Sequence, residues 1–219
     1  MSPTVVIVAR APVPGEAKTR LASYVGDEAA SRLAGAALLD TIDAADATGW
    51  PVCVPMTGDL AAAPDCEEIG AALARHERIP QRGDGFAERL AAAHADSDRG
   101  DGVVQVGMDT PQVRADSLIA AGRALGRHDA VLGMAHDGGW WLLGVRDGRV
   151  AGCLRSVPMS TERTGTRTRA ALRDRGAYVT DVAPMTDVDT WADALEVAAI
   201  APDTRFGRAV GRLRDGGLG

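Results

Sequence analysis

Short apolar runs alternate with longer amphipathic stretches along this chain. Val5 to Val8 is too short for a helix and ends in a loop with two prolines and a glycine, the form of a buried strand. Gly26 to Thr48 is alanine-rich, with Leu33, Ala37, Leu38, Thr41 and Ile42 at helical spacing and Asp27 and Glu28 in its first turn, which predicts one long helix. Pro51 to Met56 predicts a second strand, placed toward an edge by its prolines. Ala61 to His76 predicts a weaker helix and Glu77 to Pro80 a short strand. Gly83 and Gly85 open a loop before a helix from Phe86 to about Ala95, and Asp84 stands where it could cap that helix. Val103 to Gly107 has the pattern of a central strand, and Asp116 to Leu125 that of a helix. Asp129 to Ala135 and Trp140 to Val145 are two more strands, joined by the turn Asp137-Gly138-Gly139. Thr161 to Arg175 is a basic helix or helix-loop, Ala177 to Val182 the last strand, and Trp191 to Ala199 and Arg205 to Arg214 the closing helices. Strands alternating with helices predict an α/β fold: a single Rossmann-like domain over residues 1–219, its sheet mostly parallel (mixed) with helices on both faces.

Composition narrows the function classes. Aromatic residues are only 4% of the chain, so the core is aliphatic. A net charge of -6 argues against broad nucleic-acid or acidic-membrane binding, which needs a basic face to release counterions. Cys53, Cys66 and Cys153 are odd in number and widely spaced, with no pairing suited to zinc, which fits a reduced, cytoplasmic setting. The chain enters its first strand almost at once and has no apolar run of membrane-spanning length, so a soluble protein is expected.

Lys18 is the single lysine against 23 arginines, and it falls in the loop after the first strand, between Arg10 and Arg20. A compact point charge in that place suggests phosphate binding, though exposed loops also collect lysines without function. The loop lacks the second glycine and the Gly-Lys junction of a Walker motif. Ligands of such sheets sit beyond the carboxyl ends of strands, which adds Asp109 and the pair Asp187 and Asp189 as candidates. For Asp187 and Asp189, helix capping is the simpler role. Carboxylates from separate loops suit magnesium or manganese, and with Lys18 and Arg20 as countercharge they describe a nucleoside triphosphate site. Gly83 and Gly85 could let the backbone approach a base or ribose, or could equally form a plain turn. Trp140 and Trp141 face opposite sides of a strand, so one can enter the core while the other lines the cleft beside Gly138 and Gly139. His76, His94, His128 and His136 show no metal-binding or catalytic pairing, and no Gly-x-Ser-x-Gly elbow is present.

The segments ARAPVPGEAKTRL, GDGFAERL, GMDTP, DGGWWLLGV and DVDT, in that order from about Val5 to Leu195, resemble a family of bacterial glycosyltransferase-A-like proteins related to 2-phospho-L-lactate guanylyltransferase. The resemblance implies a nucleotide-diphospho-sugar transferase fold. It also implies a nucleotide loop of Ala9, Arg10, Ala11, Gly15, Lys18 and Arg20, metal ligation by Asp109 and by Asp189 with Asp187, and an acceptor beside Gly138 and Gly139. Where relatives read Pro-Trp-Ser-Thr, this chain has Pro158-Met159-Ser160-Thr161, a departure beside the acceptor pocket. The leading expectation is transfer of NMP from an NTP, GTP first and CTP second, to a small phosphorylated or phosphonylated acceptor. Lys18, Arg20 and Asp109 are the expected catalytic residues. The alternatives are glycosyl transfer from a nucleotide-sugar and nucleotide binding without turnover.

Overall fold

The computed structural model describes residues 2–216. Seven strands form one sheet: β1 (Thr4–Arg10), β2 (Val52–Thr57), β3 (Glu77–Pro80), β4 (Val103–Gly107), β5 (Ala130–Ala135), β6 (Trp140–Val145) and β7 (Val179–Met185), in the order β3-β2-β1-β4-β6-β5-β7. Every pairing is parallel except those of β6, which runs antiparallel to β4 and β5. The α/β, mostly parallel fold read from the sequence is therefore the observed one. Pro55 lies in β2, which begins after Pro51 and is second from the edge beside edge strand β3, toward the edge as its prolines suggest.

Eight α-helices accompany the sheet: α1 (Thr19–Val25), α2 (Asp27–Asp46), α3 (Cys66–Leu73), α4 (Phe86–Ser97), α5 (Ala115–Leu125), α6 (Thr164–Asp174), α7 (Trp191–Ile200) and α8 (Arg205–Asp215). One face of the sheet packs Val5, Ile7, Val104 and Val106 against Leu38, Ile42, Ile69 and Leu118 of α2, α3 and α5. The other packs Val6, Val8, Leu132 and Leu143 against Leu90 of α4, Leu172 of α6 and the 3-10 segment Gly148–Ser156. A third cluster ties α1, α2, α7 and α8 together through Leu21, Leu33, Val197 and Phe206. As the alternation required, Trp141 is 2% exposed in the first core while Trp140 packs on the opposite face.

Four local expectations are corrected. The predicted helix from Ala61 to His76 is a 3-10 turn, Leu60–Ala62, followed by α3, because Pro64 and Asp65 interrupt the pattern. The helix expected from Thr161 starts at Thr164, and the last strand runs to Met185 rather than Val182. Asp84 does not cap α4: Gly85 occupies the cap position without a side-chain bond, and Glu88 reaches back to accept from the Asp84 amide at 2.9 Å.

Val8 of β1 aligns with Gly107 of β4, so the loops carrying Lys18 and Asp109 leave the same edge of the sheet. The loop after β7 is fastened to that edge. The Val188 amide donates to the Asp109 carbonyl at 2.9 Å, and Gln112 Nε2 donates to the Thr186 carbonyl at 2.7 Å.

Candidate functional site

At this edge Lys18 Nζ lies 2.9 Å from Asp109 Oδ2 and 3.1 Å from Asp189 Oδ1, with only 14% of its side chain exposed. Burial alone would lower its pKa, but the facing carboxylates of Asp109 and Asp189 reverse this and push it up to about 12. The ammonium is therefore a permanent charge. Lys18 also holds φ 51° and ψ 48°, left-handed backbone that disfavours a residue with a Cβ by roughly 1–3 kcal/mol. It stands at the N-terminus of α1, a seven-residue helix that the sequence pattern did not separate from the loop. The exposed Arg20 reaches only 3.9 Å from Asp189 Oδ2.

Asp109 folds back over Gly107, where a Cβ would meet its Oδ1 at 2.5 Å. Thr190 rather than Asp187 or Asp189 caps α7, in a capping box with Asp193, which leaves both aspartates to the site. The Asp187 carboxyl is pushed up to about 8, first by burial and then by the neighbouring charges of Asp109 and Asp137. Its Oδ1 is buried with no hydrogen-bond partner among the described residues.

Asp109, Asp187 and Asp189 do not form a ready metal cage. Among the described residues no three His, Cys, Asp or Glu side chains are gathered to hold an ion, and the Lys18 ammonium is paired with both Asp109 and Asp189. The donor set nonetheless fits a hard divalent cation. The ligands are all carboxylate oxygens, and the unpartnered Asp187 Oδ1 is the atom such an ion would satisfy.

Of the other predicted residues, Ala9 and Ala11 are buried at the end of β1, and Arg10 Nη2 bridges its loop to Glu16 at 2.7 Å. Gly15, with φ 77°, turns this loop. Gly83, with φ 125°, folds its loop onto α4, since a Cβ there would meet Glu88 Cβ at 2.5 Å, whereas Gly85 faces open space. Gly138 packs against protein backbone: a Cβ would lie 2.1 Å from the Glu162 carbonyl oxygen. Gly139 completes the turn, its amide donating to Asp137 Oδ1 at 2.7 Å. Trp140 is half-buried, and its Nε1 has no partner among the described residues.

Sequence reasoning passed over two side chains. Asp137 belongs to the carboxylate group around Asp187. Gln81, just past β3, donates from Nε2 to the Ala9 carbonyl at 2.7 Å and the Pro55 carbonyl at 3.0 Å. Both amide hydrogens are thereby committed, so the Gln81 Oε1 is left as a fixed acceptor beside the end of β1. The available signal was its position directly after a strand.

The chain is 34% identical over 194 residues to 3-phospho-D-glycerate guanylyltransferase of Phenylobacterium zucineum (strain HLK1), covering 83% of this chain and 84% of that protein. A Desulfovibrio desulfuricans G20 crystal structure, assigned as a nucleotide-diphospho-sugar transferase, superimposes with a TM-score of 0.83 at 26% identity, over 98% of this chain and 95% of the other. A Mycobacterium tuberculosis H37Rv protein solved with manganese shares the fold, with a TM-score of 0.53 at 21% identity over 89% and 97% of the two chains. A family model matches residues 39–161, and with that match and the guanylyltransferase relationship the chain belongs to the family described as uncharacterized protein conserved in bacteria (DUF2064).

Proposed function

We propose that this transferase moves a nucleoside monophosphate from an NTP, GTP first and CTP second, to the phosphate or phosphonate of a small acceptor and releases pyrophosphate. The observation that carries the reading is Lys18, held in strained backbone between Asp109 and Asp189 at the carboxyl edge of the sheet. The guanylyltransferase relative supports the choice of reaction.

In this reaction an acceptor phosphate oxygen forms a bond to the α-phosphorus while the bond from that phosphorus to the bridging oxygen breaks, and pyrophosphate leaves with the electron pair. A phosphate monoester has a second pKa of about 6 and is already ionised at neutral pH, so no general base is needed. Lys18 and Arg20 hold the phosphates and offset charge as it moves onto the leaving group. Gln81 Oε1 accepts from the base, and the loop of Gly83 and Gly85 brings backbone beside the nucleoside. Asp109, Asp187 and Asp189 would hold magnesium or manganese, which when bound supplies Lewis-acid neutralisation of the phosphate oxygens. Trp140 and the turn of Gly138 and Gly139 border the acceptor.

Acceptor-dependent pyrophosphate release tests the proposal. Undiminished release by Lys18→Ala or Asp109→Ala would remove the site. Glycosyl transfer from a nucleotide-sugar is the second reading, favoured by the assignment of the Desulfovibrio structure. It predicts a nucleoside diphosphate product instead.

A further inference from the structure

Among the described residues Arg89 has no ion-pair partner, and it stands in a partly buried place. It sits in the first turn and a half of α4, half-buried, its Nε fully covered and without a hydrogen-bond partner among the described residues. Two carboxylates near it in sequence are engaged elsewhere: Glu88 accepts from the Asp84 amide at 2.9 Å, and Asp96 takes Arg82 Nε at 3.0 Å and Nη2 at 2.5 Å. The Arg89 guanidinium instead lies 5.9 Å from the centre of the Phe86 ring, which steers it without neutralising it. A guanidinium does not deprotonate, so its covered N–H calls for an acceptor, and an anion makes the strongest one.

Its position limits which anion. α4 packs against β1 and β4, the two strands whose loops carry Lys18 and Asp109, on the face of the sheet where Trp140 also packs. Leu142 of β6 pairs with Val106 of β4, which brings Trp140 level with the start of the Asp109 loop. The Trp140 indole N–H is likewise buried and unpartnered. Two donors without a hydrogen-bond partner among the described residues, one of them charged, thus belong to elements on this face of the sheet, α4 and the start of β6. The fork of an arginine matches the two oxygens of a carboxylate. Lys18 and Arg20 already face the phosphates under the reading above.

Resting on that nucleotidyl-transfer reading, we propose that Arg89 binds the carboxylate of the acceptor, with Trp140 Nε1 as a second donor, and so selects phosphorylated carboxylic acids over phosphorylated alcohols. The relative that acts on 3-phospho-D-glycerate uses an acceptor of this class.

The test is calorimetric titration of the wild type, Arg89→Gln and Arg89→Lys in magnesium, with and without α,β-methylene GTP. The probes are 3-phospho-D-glycerate and glycerol 3-phosphate, which share the phosphate and differ in the carboxylate. The wild type binds the acid roughly tenfold or more tighter, a difference of the size expected for one charge-assisted pair. Arg89→Gln erases the difference, Arg89→Lys keeps part of it, and affinity for the nucleotide analogue stays within about twofold of wild type. Absence of a preference in the wild type, its persistence in Arg89→Gln, or a loss of nucleotide affinity as large as that for the acid would overturn the assignment. Pyrophosphate release is measured separately. A protein that prefers the acid through Arg89 yet releases none from any NTP contradicts nucleotidyl transfer and leaves the arginine's role standing.

Discussion

Lys18 Nζ, 2.9 Å from Asp109 Oδ2, joins the loop after β1 to the loop after β4 across the carboxyl edge of the sheet. The pair has a structural and a chemical consequence. Lys18→Ala removes the cation between Asp109 and Asp189, leaves those carboxylates facing one another and relieves little strain, since alanine also disfavours a φ of 51°. Turnover is expected to fall by about a thousandfold or more and stability by about 1–3 kcal/mol, with the fold retained. Steady-state pyrophosphate release and thermal unfolding measure the two effects. Lys18→Arg does not restore activity, because a planar fork cannot take the place of a compact ammonium held by two carboxylates.

On the proposed reading Asp187 couples metal binding to pH. Its folded pKa, about 8, lies above the unfolded carboxylate value, so the folded metal-free protein binds the extra proton. Its contribution is therefore fully present below the unfolded value of about 4 and is lost as pH rises toward 8. Metal-free Asp187→Asn, which stays neutral, gains stability over the wild type as pH increases from 6 to 9. The same substitution weakens manganese binding by at least about tenfold, read by titration calorimetry at pH 7.5. Chelation of the wild type is expected to abolish pyrophosphate release, and added magnesium or manganese to restore it.

Gln81 has its amide nitrogen fixed by the carbonyls of Ala9 and Pro55, which aims its oxygen as an acceptor. Gln81→Leu is expected to lower kcat/KM for the preferred NTP by about 10- to 100-fold and to narrow the spread among the four NTPs. Parallel rate measurements with all four check this. A uniform decrease that leaves their ranking and spread intact would assign Gln81 to holding β1 and β2 alone.

His94 is fully buried in α4, and neither ring nitrogen has a partner among the described residues. Burial depresses its pKa to about 3, against a weaker opposing pull from Asp98. The unfolded chain therefore binds the proton first, so stability from this group is fully present above about pH 6.5 and drains away as pH falls toward 3. The loss reaches on the order of 4 kcal/mol near pH 3. Denaturant unfolding of His94→Leu across pH 3–7 is expected to show a shallower acid decline than the wild type. Equal slopes would show that His94 takes up its proton alike in the folded and unfolded chains over this range.

Strand order in the chain was legible because each buried strand is a short apolar run between glycine or proline breaks, as in Val5–Val8 and Val103–Gly107. The mixed character follows from the Asp137-Gly138-Gly139 turn, which returns β6 antiparallel to β5. The α1 helix was hidden because its seven residues give less than two full amphipathic turns, after a lysine in left-handed backbone. The 3-10 segment Gly148–Ser156 carries no helical period of 3.6. Lys18, Asp109 and Asp189 could be proposed together because each follows a strand. Gln81 and Asp137 also follow strands, but what sets them apart, as for Arg89, is the partners they have or lack in three dimensions.

Mass spectrometry of products formed with magnesium, each of the four NTPs and 3-phospho-D-glycerate, followed by other phosphorylated acids and then nucleotide-sugars, tests the central claim most directly. The expected result is pyrophosphate together with a nucleotidylated phospho-acid from one preferred NTP, absent with Lys18→Ala. Nucleoside diphosphate and a glycosylated acceptor, formed only from a nucleotide-sugar, would contradict it.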